Sequence, residues 1–297
     1  MRGIQFLVAS GIALFAGGNA HAQAMDWAKV DSILGRTGTV GGTVHRYGLP
    51  RSDLNVTLDG VPIKANFARG GFLAFLPMGD NQTMLMGDLV LLQSEVSPVM
   101  AKLIAGGVDV TALHNHLLRA EPLTFYMHVG GHGDPVKMAL TIREALTASK
   151  TPLTAASAGQ PPAIDFDTVK VEQILGAKGD SNQGIFTVNI PRRDPITEMG
   201  VTVGTPIMGG ANVFGFQPTG GGKAAITGDF LLIGSEVPDV IRTLRSNGIE
   251  VTALHSHMLA EQPRIFFLHF WANDDAVKLA KGLRAALDKT ATIRSQG

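Results

Sequence analysis

The chain has 297 residues with 25 basic and 25 acidic side chains, so it lacks the concentrated positive field that nucleic acid or an anionic membrane requires. It has no cysteine, which excludes disulfides, thiol nucleophiles and cysteine-ligated zinc or iron–sulfur centres. A hydrophobic content of 45% with 17% charge is that of a globular protein, and the length suffices to bury a core without covalent staples.

The first segment does not read as fold. Arg2 precedes an apolar run over residues 4–16, and Ala20-His21-Ala22 supplies an Ala-x-Ala cleavage pattern. These are the parts of a secretory signal peptide over residues 1–22, and the apolar run is too short to span a bilayer comfortably. The expected product starts near Gln23 and is exported, periplasmic or secreted. Loss of Arg2 leaves 24 basic against 25 acidic residues, and no cysteine follows to accept a lipid, so no membrane anchor is expected.

From there the chain says the same thing twice. Ile33-Leu34-Gly35 returns as Ile174-Leu175-Gly176, and Pro50-Arg51-Ser52-Asp53 as Pro191-Arg192-Arg193-Asp194, each 141 positions later. Between residues 85–118 and 226–259, 16 of 34 positions are identical without a gap. A constant offset over that length marks an internal duplication. Residues 23–149 form the first unit and 163–297 the second, with residues 150–162, rich in Ala, Thr, Ser and Pro, as the linker.

Within unit 1, alternating runs at residues 42–47, 72–76 and 89–92 predict strands. Ser94 is placed to cap a helix whose apolar stripe is Val96, Val99, Met100 and Leu103, ended by Gly106-Gly107. Two strands follow, over residues 108–118 and 123–129. Asp134-Pro135 then opens a second helix with the stripe Val136, Ala139, Ile142 and Leu146, repeated as Val277, Ala280, Leu283 and Leu287 after Asp275. The predicted class is α+β: two homologous units, each with a mainly antiparallel sheet and about two helices on one face, related by an approximate two-fold axis.

The duplicated strand pair carries the chemistry. Val-Thr-Ala-Leu-His-x-His occurs at residues 110–116 and 251–257, and a third histidine follows at His128 and His269. Six of the eight histidines after the signal segment therefore fall in two triads, His114/His116/His128 and His255/His257/His269; only His45 and His132 lie outside. Residues i and i+2 of a strand share a face, and the third histidine joins them in any register whose paired residue numbers have an even sum. Three imidazoles on one face with a fourth position open is a catalytic zinc geometry, so each triad is expected to hold a divalent metal, zinc first. The competing readings are histidines acting without a metal, or a structural polar network that duplication merely copied.

Asp88 and Asp229 stand early in a strand, where Asp is disfavoured, and are candidates to orient a histidine or serve as a fourth ligand. Glu95 and Glu236 sit at a helix start, where the helix dipole accounts for them. Glu121 and Glu261 do not align with each other, so neither is expected to be a ligand. Arg51/Asp53 and Arg192/Asp194 read as structural ion pairs. Gly130-Gly131-His132-Gly133, before the second helix, has the glycines of an anion loop, but the second copy has Trp271-Ala272-Asn273-Asp274 there, so the rims of the two sites should differ. Met84 and Met86 align with Ala225 and Thr227 and read as core filling.

The Gly-Asp-Leu-Val-Leu, Val-Thr-Ala-Leu-His-Asn-His and Met-His-Val-Gly-Gly-His-Gly-Asp stretches resemble the exported LppY/LpqO family, whose function is unknown. The resemblance covers nearly the whole mature chain and implies export but no reaction. The expected function is thus an exported, histidine-rich divalent-metal protein with open coordination suited to hydrolysis. The alternative is a non-enzymatic protein of the cell envelope that binds metal or a small ligand.

Overall fold

The computed structural model describes residues 25–68, 70–154 and 162–292. The signal-peptide reading and the middle of the linker lie outside these residues. Unit 1 contains α1 (Trp27–Leu34), β1 (Thr39–Gly41), β2 (Val44–Pro50), β3 (Gly70–Gly79), β4 (Gln82–Leu92), α2 (Gln93–Ala105), β5 (Asp109–His114), β6 (Thr124–Gly133) and α3 (Pro135–Leu146). Unit 2 repeats them as α4 (Thr168–Leu175), β7 (Gly179–Asn182), β8 (Ile185–Pro191), β9 (Ala211–Gly220), β10 (Lys223–Leu232), α5 (Val237–Ser246), β11 (Glu250–His255), β12 (Phe266–Asp275) and α6 (Ala276–Leu287).

Each unit forms one six-stranded antiparallel sheet, ordered β1-β2-β3-β4-β6-β5 in the first and β7-β8-β9-β10-β12-β11 in the second. Identical strand order bears out the duplication, although the protein is richer in sheet than the α+β expectation suggested. Alternation along the strands explains the layers. Leu85, Leu89, Leu91, Met127 and Val129 point to one face, where Val99 and Leu103 of α2 and Ala139 and Ile142 of α3 cover them. In unit 2, Phe230, Leu232, Leu268 and Phe270 meet Val240, Leu244, Ala280 and Leu283 in the same way.

The opposite faces carry no long helix and cover each other, with only the short turns Ala65–Ala68 and Pro206–Met208 between them. Val44, Ala74 and Met84 of unit 1 pack with Leu231, Met258, Ile265 and Phe267 of unit 2 in one buried cluster. A second mixed cluster joins Leu58, Leu117 and Ala120 to Ala225 and Trp271. The protein is therefore a stack of helices, sheet, sheet and helices, with the edge strands β5 and β11 in contact across the middle.

Three sequence expectations are corrected. The strand predicted over residues 108–118 stops at His114, because the chain leaves the sheet to bury Leu117 and Ala120 against unit 2. The glycine-rich run 130–133 is not a loop but the end of β6. Ser94 is not the cap of α2: the helix begins at Gln93, and Glu95 reaches back to accept the backbone N–H of Leu92.

Glu95 has a larger role than the helix dipole assigned it. It also accepts from Arg51, whose Nη1 lies 2.7 Å from Oε2, and from the backbone N–H of Lys150. Arg51 is fully buried and donates as well to Asp53 and to the carbonyl of Val90. Unit 2 repeats the knot through Arg192, Glu236, Leu231 and the backbone of Ala291. Each knot ties together a strand end, a helix start and the segment after the last helix. Glu95→Ala strands a buried guanidinium and is expected to destabilise the fold by about 3–5 kcal/mol, measured as a urea midpoint shift. Asp53→Ala, whose side chain is 20% exposed, is expected to cost markedly less.

Candidate metal centre

The two triads do not make two separate sites. They interleave into one cluster at the contact between the sheets. His114 and His255 stack on each other at a centroid distance of 3.3 Å. On one side His116 of unit 1 stacks on His269 of unit 2 at 3.6 Å, and on the other His257 stacks on His128 at 3.7 Å. Tyr126 closes the first column against His116 at 3.4 Å, and its counterpart Phe267 closes the second against His257 at 3.4 Å. Reciprocal contacts of this kind, i to j and j to i, are what a two-fold axis produces. The sequence pattern did not announce Tyr126 and Phe267, though both are aromatic at the 141-residue offset.

Local geometry brings each ring there. Ala112 pairs with His128 and His114 with Tyr126, so the paired numbers sum to an even value and His114 shares the face of His128. Unit 2 has the same register, with Ala253 opposite His269 and His255 opposite Phe267. Bulges at Thr111 and Thr252 precede these pairs, turning each edge strand so that Val110 faces the helices and His114 faces the other sheet. The Thr111 hydroxyl donates to the carbonyl of His257 at 2.6 Å, which pins one unit's strand to the other's histidine loop. His116 and His257 lie just past the strand ends, not within them.

The tautomers are set by the backbone. Nδ1 of His269 lies 2.9 Å from the carbonyl of Gly228, and a carbonyl only accepts, so Nδ1 carries the proton and Nε2 the lone pair. His128 bonds to the carbonyl of Gly87, the equivalent residue. Nδ1 of His114 and of His255 similarly approach the carbonyls of Asn115 and Ser256 at 3.4 and 3.3 Å. Inside the cluster, Nε2 of His114, His116, His128 and His257 are buried without a hydrogen-bond partner, as is Oδ1 of Asp88, 4.0 Å from Nε2 of His128; Oδ1 of Asp229 lies 3.1 Å from Nδ1 of His269 without a hydrogen bond of good geometry. Nε2 of His255 and of His269 face each other at 2.7 Å.

Buried acceptors without donors are expensive, and such groups normally find partners or coordinate a metal. The donors are spaced for it. Four sets have ligand atoms mutually within 4.8 Å: His114, His128, His255 and His257; His114, His116, His255 and His269; Asp88, His116 and His128; and Asp229, His257 and His269. The first two exchange under the two-fold, as do the last two. Every histidine of the two triads is thus a possible ligand, and of the two roles expected for Asp88 and Asp229 the spacing allows that of a ligand. The predicted set His114/His116/His128 is divided among these groups, because the nearest imidazoles to each ring belong to the other unit. Glu121 and Glu261 contribute no ligand to any set.

Burial controls the charges. His114 is pushed down to about 4 by desolvation and then by His269, His255 to about 2, and His269 to about 4. His116, His128 and His257, buried deeper, fall well below the ordinary histidine range. Desolvation raises Asp229 to about 7, although 26% of its side chain is exposed. Burial, and then Asp229, hold Asp88 well above the usual carboxylate range, against the pull of Arg46. Arg46, absent from the sequence reading, is held over Phe72 at 3.5 Å and donates to the carbonyl of Ile207. Unit 2 has Thr187 at that position, so one carboxylate has a cation nearby and the other does not.

The chain belongs to the family described as Domain of Unknown Function (DUF1259), which it matches twice, over residues 28–148 and 169–289. No curated protein matches it. Among solved structures it is similar to a trimeric bacterial microcompartment shell protein, PduB, at 13% identity over 87% of this chain and 96% of that one. The TM-score there is 0.21, which supports no argument about fold or function. No helix among the described residues is long and apolar enough to cross a membrane.

The sign of the pH response follows from these shifts. Between about pH 6.5 and 4 the unfolded chain protonates its histidines while the folded cluster does not, so metal-free stability falls as pH drops through that window. Asp88 and Asp229 act in the opposite sense, because the fold holds their protons more tightly, but six imidazoles outweigh two carboxyls. The urea midpoint of metal-free protein is expected to be clearly lower at pH 4.5 than at pH 7. An unchanged or higher midpoint at pH 4.5 would show that the rings do not titrate as a buried neutral cluster.

Proposed function

We propose that the protein binds two divalent transition-metal ions, zinc first, in the histidine cluster between its units. Asp88, His116 and His128 hold one ion, and Asp229, His257 and His269 the other. The observation that carries this is the set of inward Nε2 and Oδ1 atoms, buried without partners, whose histidine tautomers the backbone fixes for coordination. Charge favours the carboxylate-bearing sets over the sets made of imidazoles alone. A dication among neutral ligands in a buried site is uncompensated, whereas each aspartate supplies a negative charge. His114 and His255 lie between the two sets and are placed to give a fourth ligand.

Imidazole and carboxylate donors suit zinc, and an ion so held with an open position would supply a Lewis acid and hydroxide near neutral pH. Hydrolysis of a small substrate is the reaction this arrangement supports. The chain's own contribution is to keep the rings in one tautomer, exclude bulk water, and present His128 and His257 to a cleft. Residues 1–22 and the resemblance to the exported LppY/LpqO proteins support action outside the cytoplasm, where a small molecule would be the partner. A metal-storing or ligand-binding protein of the envelope is the second reading, favoured by the depth of the cluster: His128 is 3% exposed and His269 1%.

Elemental analysis of untagged protein loaded with zinc and dialysed should give two ions per chain. Asp88→Asn and Asp229→Asn should each remove about one ion, and Asp88→Asn should cost less affinity, because Arg46 already weakens the site beside it. His114→Ala should leave two ions bound more weakly. One ion in the wild type, lost entirely in His114→Ala, would replace this arrangement with a single four-histidine site. No retained metal in the wild type would overturn the metal reading.

A further inference from the structure

The two ends of the histidine cluster are not equally open. A cleft of ≈ 190 Å³ reaches His128 and His257 from the side of Gly130 and His132. Five methionines line it: Met84, Met86, Met199, Met208 and Met258. Subtracting or adding 141 gives their two-fold counterparts, Ala225, Thr227, Leu58, Phe67 and Leu117, none of them methionine. Gly130 corresponds to Trp271. At that end Trp271 is buried in a single apolar cluster with Leu58, Leu117, Ala225 and Phe67, and its indole N–H donates to Asp59 at 3.1 Å. The surface hollow beside it, lined by Asp59, Glu250 and Trp271 among others, touches none of the six histidines. One indole thus fills the volume that the glycine leaves open at the other end.

The open cleft has a definite chemistry. Its walls are thioether and apolar carbon, which adapt to varied shapes. Its polar side chains are the two imidazoles at the bottom, with His132, Asp109, Glu198 and Thr111, whose hydroxyl is spent on the carbonyl of His257. Oε2 of Glu198 is buried without a partner. No arginine or lysine lines it, so an anion finds no counter-charge there. A cavity of about 150 Å³ accommodates benzene.

We infer that this methionine-lined cleft is a ligand-binding site for a neutral, mainly apolar molecule of about benzene's size, whose single polar atom is directed at His128 and His257, and that Trp271 closes the equivalent route. The inference rests on the metal reading only in making those histidines the reactive end; occupation of the cleft does not depend on it. Duplication would then have been followed by division of labour, with one mouth kept and the other plugged.

The test uses the full-length protein labelled with carbon-13 at its methionine methyls, titrated with phenol in the metal-free and zinc-loaded forms. Methyls of Met84, Met86, Met199, Met208 and Met258 should shift saturably, while Met78 and Met100 should not. In the metal-free form benzoate, of similar shape but anionic, should shift none. Gly130→Trp should weaken phenol at least tenfold, and Trp271→Gly should raise the stoichiometry from one phenol to two. A Cβ at Gly130 would lie 3.3 Å from Cγ2 of Thr111, so Gly130→Ala serves as the control for tolerance of a side chain. If Gly130→Trp does not fold, Met86→Phe narrows the cleft in its place and should weaken phenol likewise. Absence of saturable shifts in the wild type, or full phenol affinity in a folded Gly130→Trp or Met86→Phe protein, overturns the inference. Zinc content measured on the same samples separates the two readings: zinc without phenol binding rejects the cleft, and phenol binding without zinc rejects the metal centre.

Discussion

Each sheet has its long helices on one face only, and the second face of each must be covered by the other copy. That constraint organises the molecule. The uncovered faces carry Val44, Ala74 and Met84 on one side and Leu231, Ile265 and Phe267 on the other, and burying them removes apolar surface that neither unit could hide alone. Placing identical faces together across a two-fold also brings identical residues close to the axis. A polar residue near that axis is therefore doubled in place, and this is how two triads, each a His-x-His motif with a third histidine, become a cluster of six imidazoles.

Burying six imidazoles is tolerable because they are neutral and because backbone carbonyls accept from the ring N–H groups of His114, His128, His255 and His269. The carbonyls of Gly87 and Gly228 take those protons from His128 and His269, each from a β4 or β10 residue next to the aspartate of its own site. The same hydrogen bond that satisfies the fold turns Nε2 inward as a donor to a cation. The cost is a set of inward-facing atoms that hydrogen bonding does not satisfy, and that set is the functional signal. By contrast Arg51, equally buried and duplicated as Arg192, donates to Asp53, Glu95 and the carbonyl of Val90, while in unit 2 Glu236 and the carbonyl of Leu231 accept from Arg192 and only its Nε is left without a partner. Duplication preserved both features, and satisfaction of their atoms distinguishes scaffold from site.

Symmetry is kept at the centre and broken at the rim. Rings and registers match between units to within a few tenths of an ångström, whereas Arg46 against Thr187 and Gly130 against Trp271 do not match at all. The centre resists change because each ring contacts both copies, so altering one disturbs two columns. At the rim a substitution affects one mouth only. Such a molecule can keep a symmetric set of ligands while presenting a single approach to it.

Much of this was legible in the chain. The offset of 141 gives the duplication, and the even-sum condition correctly puts His114 with His128 and His255 with His269 on common faces. Alternation and the Asp-Pro and Asp caps place α3 and α6, and Asp88 and Asp229 could be noticed as acids where strands disfavour them. What periodicity cannot report is contact between residues far apart in sequence. His116 meets His269 only because the two bare faces pack together, so the joining of the two triads into one cluster was a property of tertiary structure. The strand end at His114 was likewise decided by the partner sheet, which draws Leu117 out to bury it, and the role of Glu95 by an arginine 44 positions away. Gly130 and Trp271 stand in plain view in the alignment of the copies, but that one residue leaves a cleft and the other fills it depends on the walls around them. The sequence alone determines local direction and which residues were copied; the packing of the copies decides what those residues face.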